Sequence, residues 1–457
     1  MRPVLETLAL LGPAFAGQEL AQADLFEEAR VAAREGACER ALGLLDELLA
    51  REPEHGAALK LRGHCLNQAG RLDEALAAYR RALAAGPRDA GAAYGAGRTL
   101  QAMGDLAGAV AAYGEALAIE PQYAAALEWR GHARQLQGDH ERAIEDFTRA
   151  LELDAGDRFA LFARGRSRVA LRRFADATRD FARVAELEPD RPDAFEQLGY
   201  LFAVLPSQAA ALEAFGRALE NGAPKLAHVR LWVWILRRER GDDPAEVDAE
   251  LRRWLEEVPP VERSLEWPRE LAAMLLGDMT EDELLRAAIE EAQRRKDAGE
   301  TGAADIVCET QFFLAARRQA QGETQRALES TLRCLESLTF HKWEWEAARV
   351  RLREVARRDA LEPSTGLRTD AAHAAFLSRE GLDATACRVI AAIDPRSFAA
   401  RVGLAQGDVV LEIAGEPASE AAFARVLDRS LPGDLVPLVV RRGSRTSTFQ
   451  LLLGVKR

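Results

Sequence analysis

The sequence predicts a multidomain chain in which an all-α solenoid is followed by a small, mainly-β domain. Three observations predict it. A small residue, an alanine and a ring or leucine recur at fixed offsets six times, on a period of thirty-four residues. Tryptophan-rich amphipathic stretches that lack this period follow, as far as about residue 358. Runs of valine, leucine and isoleucine separated by turn signals then fill residues 359–457.

The small residues are Ala29, Gly63, Gly97, Gly131, Gly165 and Gly199. Twelve positions on stand Ala41, Ala75, Ala109, Ala143, Ala177 and Ala211, and four further on Leu45, Tyr79, Tyr113, Phe147, Phe181 and Phe215. Pro53, Pro87, Pro121 and Pro189 close four units, and Asp154-Ala155-Gly156 replaces the proline in the fourth. Each unit reads as two amphipathic helices around a turn; in the second unit these are 57–69 and 72–84, with Gly70 between. The small residue lets the two helices approach, the alanine does the same toward the neighbouring unit, and the ring fills the remaining space. This pattern is similar to the tetratricopeptide repeat (TPR) family. The resemblance implies a right-handed superhelix whose first helices line a concave, protein-binding face.

On that face the ninth places carry His64, Arg98, His132, Arg166 and Tyr200, and the twelfth Asn67, Gln101, Gln135, Val169 and Ala203. The fifth places carry Lys60, Tyr94, Glu128, Phe162 and Glu196. A ladder of cations beside a ladder of amides suits the backbone and carboxylates of an extended peptide. The candidate binding residues are therefore Lys60, His64, Asn67, Tyr94, Arg98, Gln101, His132, Gln135 and Arg166. The alternative is a solvated inner face whose polar groups bond between repeats.

Residues 224–358 read as irregular helices closed by a further repeat-like hairpin (Ala315, Ala327, Thr331, Cys334) and a capping helix over 343–357. Trp254 and Trp267 are expected to anchor packing, and Thr280-Glu281-Asp282-Glu283 reads as a helix start. Met274-Leu275-Leu276-Gly277-Asp278-Met279-Thr280 and Cys308-Glu309-Thr310-Gln311-Phe312-Phe313-Leu314 resemble the C-terminal half of the bacterial NlpI-type TPR lipoproteins. That resemblance implies an adaptor that helps periplasmic proteases find substrates, although this chain lacks the lipid-bearing cysteine of those proteins.

In the last segment, strands are expected over 388–393, 408–413, 435–440 and 448–453. The passage Ser397 to Val410, with Arg401-Val402-Gly403-Leu404 and Gly407-Asp408-Val409-Val410, is similar to bacterial PDZ domains. Ile413-Ala414-Gly415 stands where Ile-Asn-Gly is usual, and Pro432-Gly433-Asp434 continues the match. The resemblance implies a groove that takes a C-terminal peptide as an added strand beside a helix. The expected carboxylate-holding loop is Ser364-Thr365-Gly366-Leu367, and the expected groove helix is 420–431 with Phe423 and Leu427 facing the peptide. Ordinary core packing is the competing role for those two side chains.

The net charge of −12 argues against nucleic acid as the main partner, since phosphate recognition needs a basic face. Five cysteines (Cys38, Cys65, Cys308, Cys334 and Cys387) form no CxxC motif and are odd in number. They read as small apolar core residues rather than a disulfide framework or a zinc site. No apolar run reaches membrane-spanning length. Residues 1–21 read as a capping segment; the alternative is a secretion signal, suggested by Arg2, Leu8 to Leu11 and Ala14-Phe15-Ala16 but interrupted by Glu6. A cytoplasmic location is expected, or a periplasmic one if residues 1–16 are a signal peptide.

No zinc helix or nucleophile elbow is present, and Gly91 to Gly97 lacks the lysine of a phosphate loop. Asp139-His140 and the pair His341 and Glu344 stand alone. The expectation is a non-catalytic scaffold without cofactor or metal, dividing at 1–21, 22–223, 224–358 and 359–457, with other proteins as partners. The alternatives are an organiser whose PDZ groove is filled by its own chain, and an enzyme centred on a polar pocket around Trp232 and Trp267.

Overall fold

A computed structural model describes residues 25–457 except 206, 223–226, 258–265, 299–301, 338, 340–341, 360–362, 365–366, 371–387, 394–396, 407, 443–444 and 456–457. The expected N-terminal cap or signal and His341 lie outside the described residues. The chain divides into two compact units, Met1–Asp190 and Arg191–Arg457.

The first unit is a series of helical hairpins. Helix α1 (25–34) pairs with α2 (Cys38–Arg51), α3 (Gly56–Gln68) with α4 (Leu72–Ala85), and α5 (Ala90–Ala102) with α6 (Leu106–Ile119). Then follow α7 (Ala124–Leu136) with α8 (His140–Leu153), and α9 (Arg158–Ala170) with α10 (Phe174–Leu187). The recurring triplet has a direct physical basis. A Cβ added at Gly63 would lie 3.0 Å from the Tyr79 ring, at Gly97 2.7 Å from Tyr113, at Gly131 2.9 Å from Phe147, and at Gly165 2.9 Å from Phe181. The ring of each second helix thus rests on the backbone of the first, which only glycine permits. The alanines at the middle offset are completely buried. Gly36, Gly70, Gly104 and Gly138 reverse the chain between helices with φ between 75° and 82°, and Arg172 takes the equivalent place with φ 59°.

The second unit opens on one more hairpin, α11 (Pro192–Val204) and α12 (Gln208–Asn221). Irregular helices follow: α13 (Ala227–Arg240), α14 (Pro244–Glu257), α15 (Glu266–Leu276) and α16 (Glu281–Asp297). Thr280 and Glu283 form a reciprocal capping box at the start of α16. The repeat-like hairpin is α17 (Ala303–Ala320) and α18 (Thr324–Glu336), and α19 (Trp343–Asp359) extends two residues past its expected end. Trp232, Trp254 and Trp345 are fully buried.

Strands β1 (Pro363–Ser364), β2 (Leu367–Asp370), β3 (Arg388–Ile393), β4 (Val409–Ile413), β5 (Glu416–Pro417), β6 (Leu435–Arg442), β7 (Arg445–Leu452) and β8 (Gly454–Val455) build the C-terminal module. All described pairs are antiparallel, in the order β2-β3-β4-β6-β7, with β5 on β4 and β1 on β8. Two short helices, α20 (Phe398–Arg401) and α21 (Glu420–Arg429), complete it. Helix α21 stops two residues before its expected end, since Pro432 biases its approach toward extended backbone.

Candidate functional site

Of the predicted inner-face residues, Lys60, His64, Asn67, Tyr94 and Arg98 line a groove of about 710 Å³ together with Phe26 and Arg30, while Gln101, His132, Gln135 and Arg166 of the same face do not line it. Two ladders behave differently there. The amides are engaged between repeats. Asn67 Nδ2 donates to Thr99 Oγ1 at 3.1 Å, and Gln135 Nε2 donates to Ser167 Oγ at 2.9 Å. Gln101 bonds His132 Nδ1 at 2.8 Å and accepts from the Tyr113 hydroxyl at 3.0 Å. The cations remain at the surface. Arg98 lies 4.0 Å over the Trp129 ring and donates to the Tyr94 hydroxyl at 3.2 Å, and Arg166 is exposed. Lys60 is paired with Asp89 at 2.8 Å, and His64 bonds Gln68 at 3.0 Å. Burial, and then the charge of Arg166, lowers the His132 pKa. This ring stays neutral near pH 7; of the cations that line the groove, Lys60 is paired with Asp89 and Arg30 with Glu27, while Arg98 meets the Trp129 ring and the Tyr94 hydroxyl. Tyr94 meets Tyr113 and Tyr123 in tilted contacts with ring centroids 5.8 and 5.2 Å apart, beside Arg98.

In the C-terminal module, β2 lies at the edge of the sheet, and its other side carries no strand among the described residues. Phe423 and Leu427, one turn apart on α21, are half-buried. They pack against the core built from Ile390, Val410, Ile413 and Leu438. Helix α21 therefore covers the sheet whose edge is β2. Ser364 ends β1 and Leu367 begins β2, while Thr365 and Gly366 lie outside the described residues.

The description "Tetratricopeptide repeat" belongs to the family models that match residues 26–90, 162–225 and 124–157, and a further TPR-repeat model matches 97–138. A PDZ-domain model matches residues 389–442. The chain carries tetratricopeptide repeats and a PDZ domain. Similar solved structures include YrrB, described as a TPR protein with an unusual peptide-binding site. It is 24% identical, with a TM-score of 0.36, covering 39% of this chain and 91% of that one. PilF of Pseudomonas aeruginosa is 18% identical at TM-score 0.40, covering 44% and 91%. A thermophilic TPR protein of Thermus thermophilus is 20% identical at 0.31, covering 38% and 94%. No curated protein matches the chain.

The PDZ domain is pinned by Asp408, whose buried carboxylate accepts two bonds of 2.6 Å from the Arg442 guanidinium and one of 2.8 Å from Ala405 N. Burial raises its pKa, but these bonds outweigh it and hold the group ionised. Asp408 is thus a framework residue of the domain.

Sequence reasoning missed a buried polar cluster around the sixth TPR hairpin. Tyr200, at the ninth place, is buried by chain of the same unit, stacking on Trp343 and meeting Trp232 edge-on. Glu309 accepts from Trp267 Nε1 and from Lys342 Nζ, both at 2.8 Å, with His228 Nε2 3.6 Å away. Glu344 accepts from Trp232 Nε1 at 3.0 Å. Burial pushes Glu344 up, reinforced by the Glu309 charge. At Glu309 the same burial is overcome by His228 and Lys342, which hold it well below the usual range. Titratable groups do converge around Trp232 and Trp267, but both indoles are buried and donate into the cluster. The arrangement is that of a packed ion network. Among the described residues no group of three or more His, Cys, Asp or Glu side chains is placed to hold a metal ion.

Proposed function

We propose that the chain is a non-catalytic adaptor. Its PDZ groove takes the C-terminus or an extended strand of one protein, and the TPR groove takes a segment of another. The observation that carries this reading is the edge of β2, beside which no strand lies among the described residues, on the sheet covered by Phe423 and Leu427 of α21. An added strand satisfies the open backbone groups of that edge, and the apolar pair on α21 offers a contact for its terminal side chain. The cations around Tyr94 favour acidic or carboxylate-bearing segments in the TPR groove. Presentation of clients to a protease rests on the NlpI-type elements in residues 274–280 and 308–314. A cytoplasmic location remains the proposed one, or a periplasmic one if residues 1–16 are a signal peptide.

Titration of a labelled C-terminal peptide library against the full chain tests this. Binding is expected, with a loss of about tenfold or more when the peptide carboxylate is amidated, equivalent to about 1.4 kcal/mol. Indifference to amidation removes the terminus-binding reading. A groove occupied by the chain's own residues favours the organiser instead.

A further inference from the structure

Cys308 on α17 and Cys334 on α18 face each other across the repeat-like hairpin, Sγ to Sγ 2.9 Å, both fully buried. Bonded sulfurs sit at about 2.05 Å, so an approach of about 0.9 Å joins them. Their surroundings give the contact weight. Cys308 precedes Glu309, the carboxylate that gathers Trp267 and Lys342. Cys334 Sγ also lies 3.8 Å from the Glu344 carbonyl oxygen, in the first turn of α19. A bond between the two sulfurs therefore staples α17 to α18 at the point where α19 begins. Cys38 also neighbours a second thiol, that of buried Cys65, but it is only half-buried and its thiol donates to the Gln68 side chain at 2.8 Å, at an accessible edge.

We propose that Cys308 and Cys334 form an oxidisable pair, converted to a structural disulfide by exchange with a low-molecular-weight disulfide. One cysteine loses its proton, and its thiolate attacks a sulfur of the small disulfide. That S–S bond breaks and one small thiol leaves with a proton. The second cysteine, also deprotonated, attacks the protein sulfur of the mixed disulfide and expels the second small thiol. Two protein thiols are oxidised to one disulfide while the small disulfide is reduced to two thiols. Burial pushes the Cys334 thiol well above its ordinary pKa, so thiolate forms when the hairpin opens. The bond is slow to form and slow to break, a lock set by the compartment rather than a fast sensor.

The test uses the full chain and a C38S/C65S/C387S variant, each equilibrated with oxidised glutathione in mild urea and then returned to buffer. Peptide mapping is expected to find Cys308 linked to Cys334 in both. The melting midpoint is expected to rise by roughly 5 °C or more, reversibly with dithiothreitol. C308S and C334S should each abolish both the link and the shift. Two free, alkylatable thiols at 308 and 334 after equilibration overturn the proposal. So does a link that leaves the midpoint unchanged or lower.

Discussion

Glu128 occupies, in the fourth repeat, the place that Lys60 holds in the second. Lys60 reaches Asp89, the N-cap of the first helix of the next repeat, and makes an ion pair of 2.8 Å. Glu128 faces the equivalent cap, Asp157, where two carboxyl groups meet. Burial first, and then the charges of Asp157 and Asp154, raises the Glu128 pKa from 4.5 to about 7. The folded-state pKa is raised, so the contribution to stability is full below about pH 4.5 and is lost as pH climbs through about 7. After allowance for solvent screening this amounts to about 1 kcal/mol. Urea midpoints of the wild type compared with E128Q between pH 4.5 and 8 should diverge over that window; parallel curves sink the assignment. E128K should rebuild the Lys60-type pair and raise the midpoint at pH 7.5. A second residue-scale strain sits at Ala414, which adopts φ 53° in the β4–β5 turn. Asparagine tolerates this conformation better than alanine, so A414N should stabilise the PDZ domain by about 0.5–1 kcal/mol in thermal unfolding.

At the scale of elements, the helix pairs are tied by buried arginine–aspartate arches. Asp146 on α8 accepts from Arg130 at 2.6 and 3.0 Å and from Arg134 at 2.7 Å, both on α7. One repeat on, Asp180 on α10 accepts from Arg164 at 2.7 and 3.1 Å and from Arg168 at 2.5 Å. Both aspartates are almost fully buried. D180A leaves two arginines facing an empty, partly desolvated site and should cost about 3 kcal/mol or more, while D176A, at an exposed pair, should cost less than about 1. Chemical denaturation of the two variants checks this, and equal losses would refute the arch. These arches were illegible in the sequence, unlike the glycine–ring contacts. Close approach admits only glycine under a ring, so Gly63 and Tyr79 advertise their contact at every repeat. An aspartate that recurs in only two units is lost among the surface charges of an acidic chain. The amide ladder was legible as a feature, but its use between repeats depends on the short hydroxyl partners Thr99 and Ser167, which lie one repeat away. The cysteine pair was hidden for a related reason, since Cys308 and Cys334 meet through the hairpin and share no motif spacing.

At the scale of the second unit, the boundary of the PDZ domain differs from a free tether. The domain rests directly on α19. Arg349 Nη1 donates to the Gly433 carbonyl at 3.1 Å, Arg353 Nε lies 2.6 Å from Asp434, and Arg401 lies 3.0 Å from Glu336 on α18. Gly433, with φ 90°, comes so close that an added Cβ would stand 2.8 Å from the Arg349 carbonyl oxygen. Pro432-Gly433-Asp434 reads in the sequence as a turn before a strand, and nothing nearby reveals that its partner lies 84 positions earlier. The consequence is mechanical. Helix α19 is keyed into the core through Glu344 and Trp232 near one end, and further along it holds the turn that follows α21. A docked domain is held at a fixed orientation to the helices of this unit. R349A/R353A should release the domain without unfolding it. Hydrogen exchange at residues 431–434 and along α19 should accelerate about tenfold or more, as expected when local opening becomes easier by about 1.4 kcal/mol. G433A should give the same pattern by steric exclusion. Unchanged protection in both variants would mean that these arginines do not fix the domain.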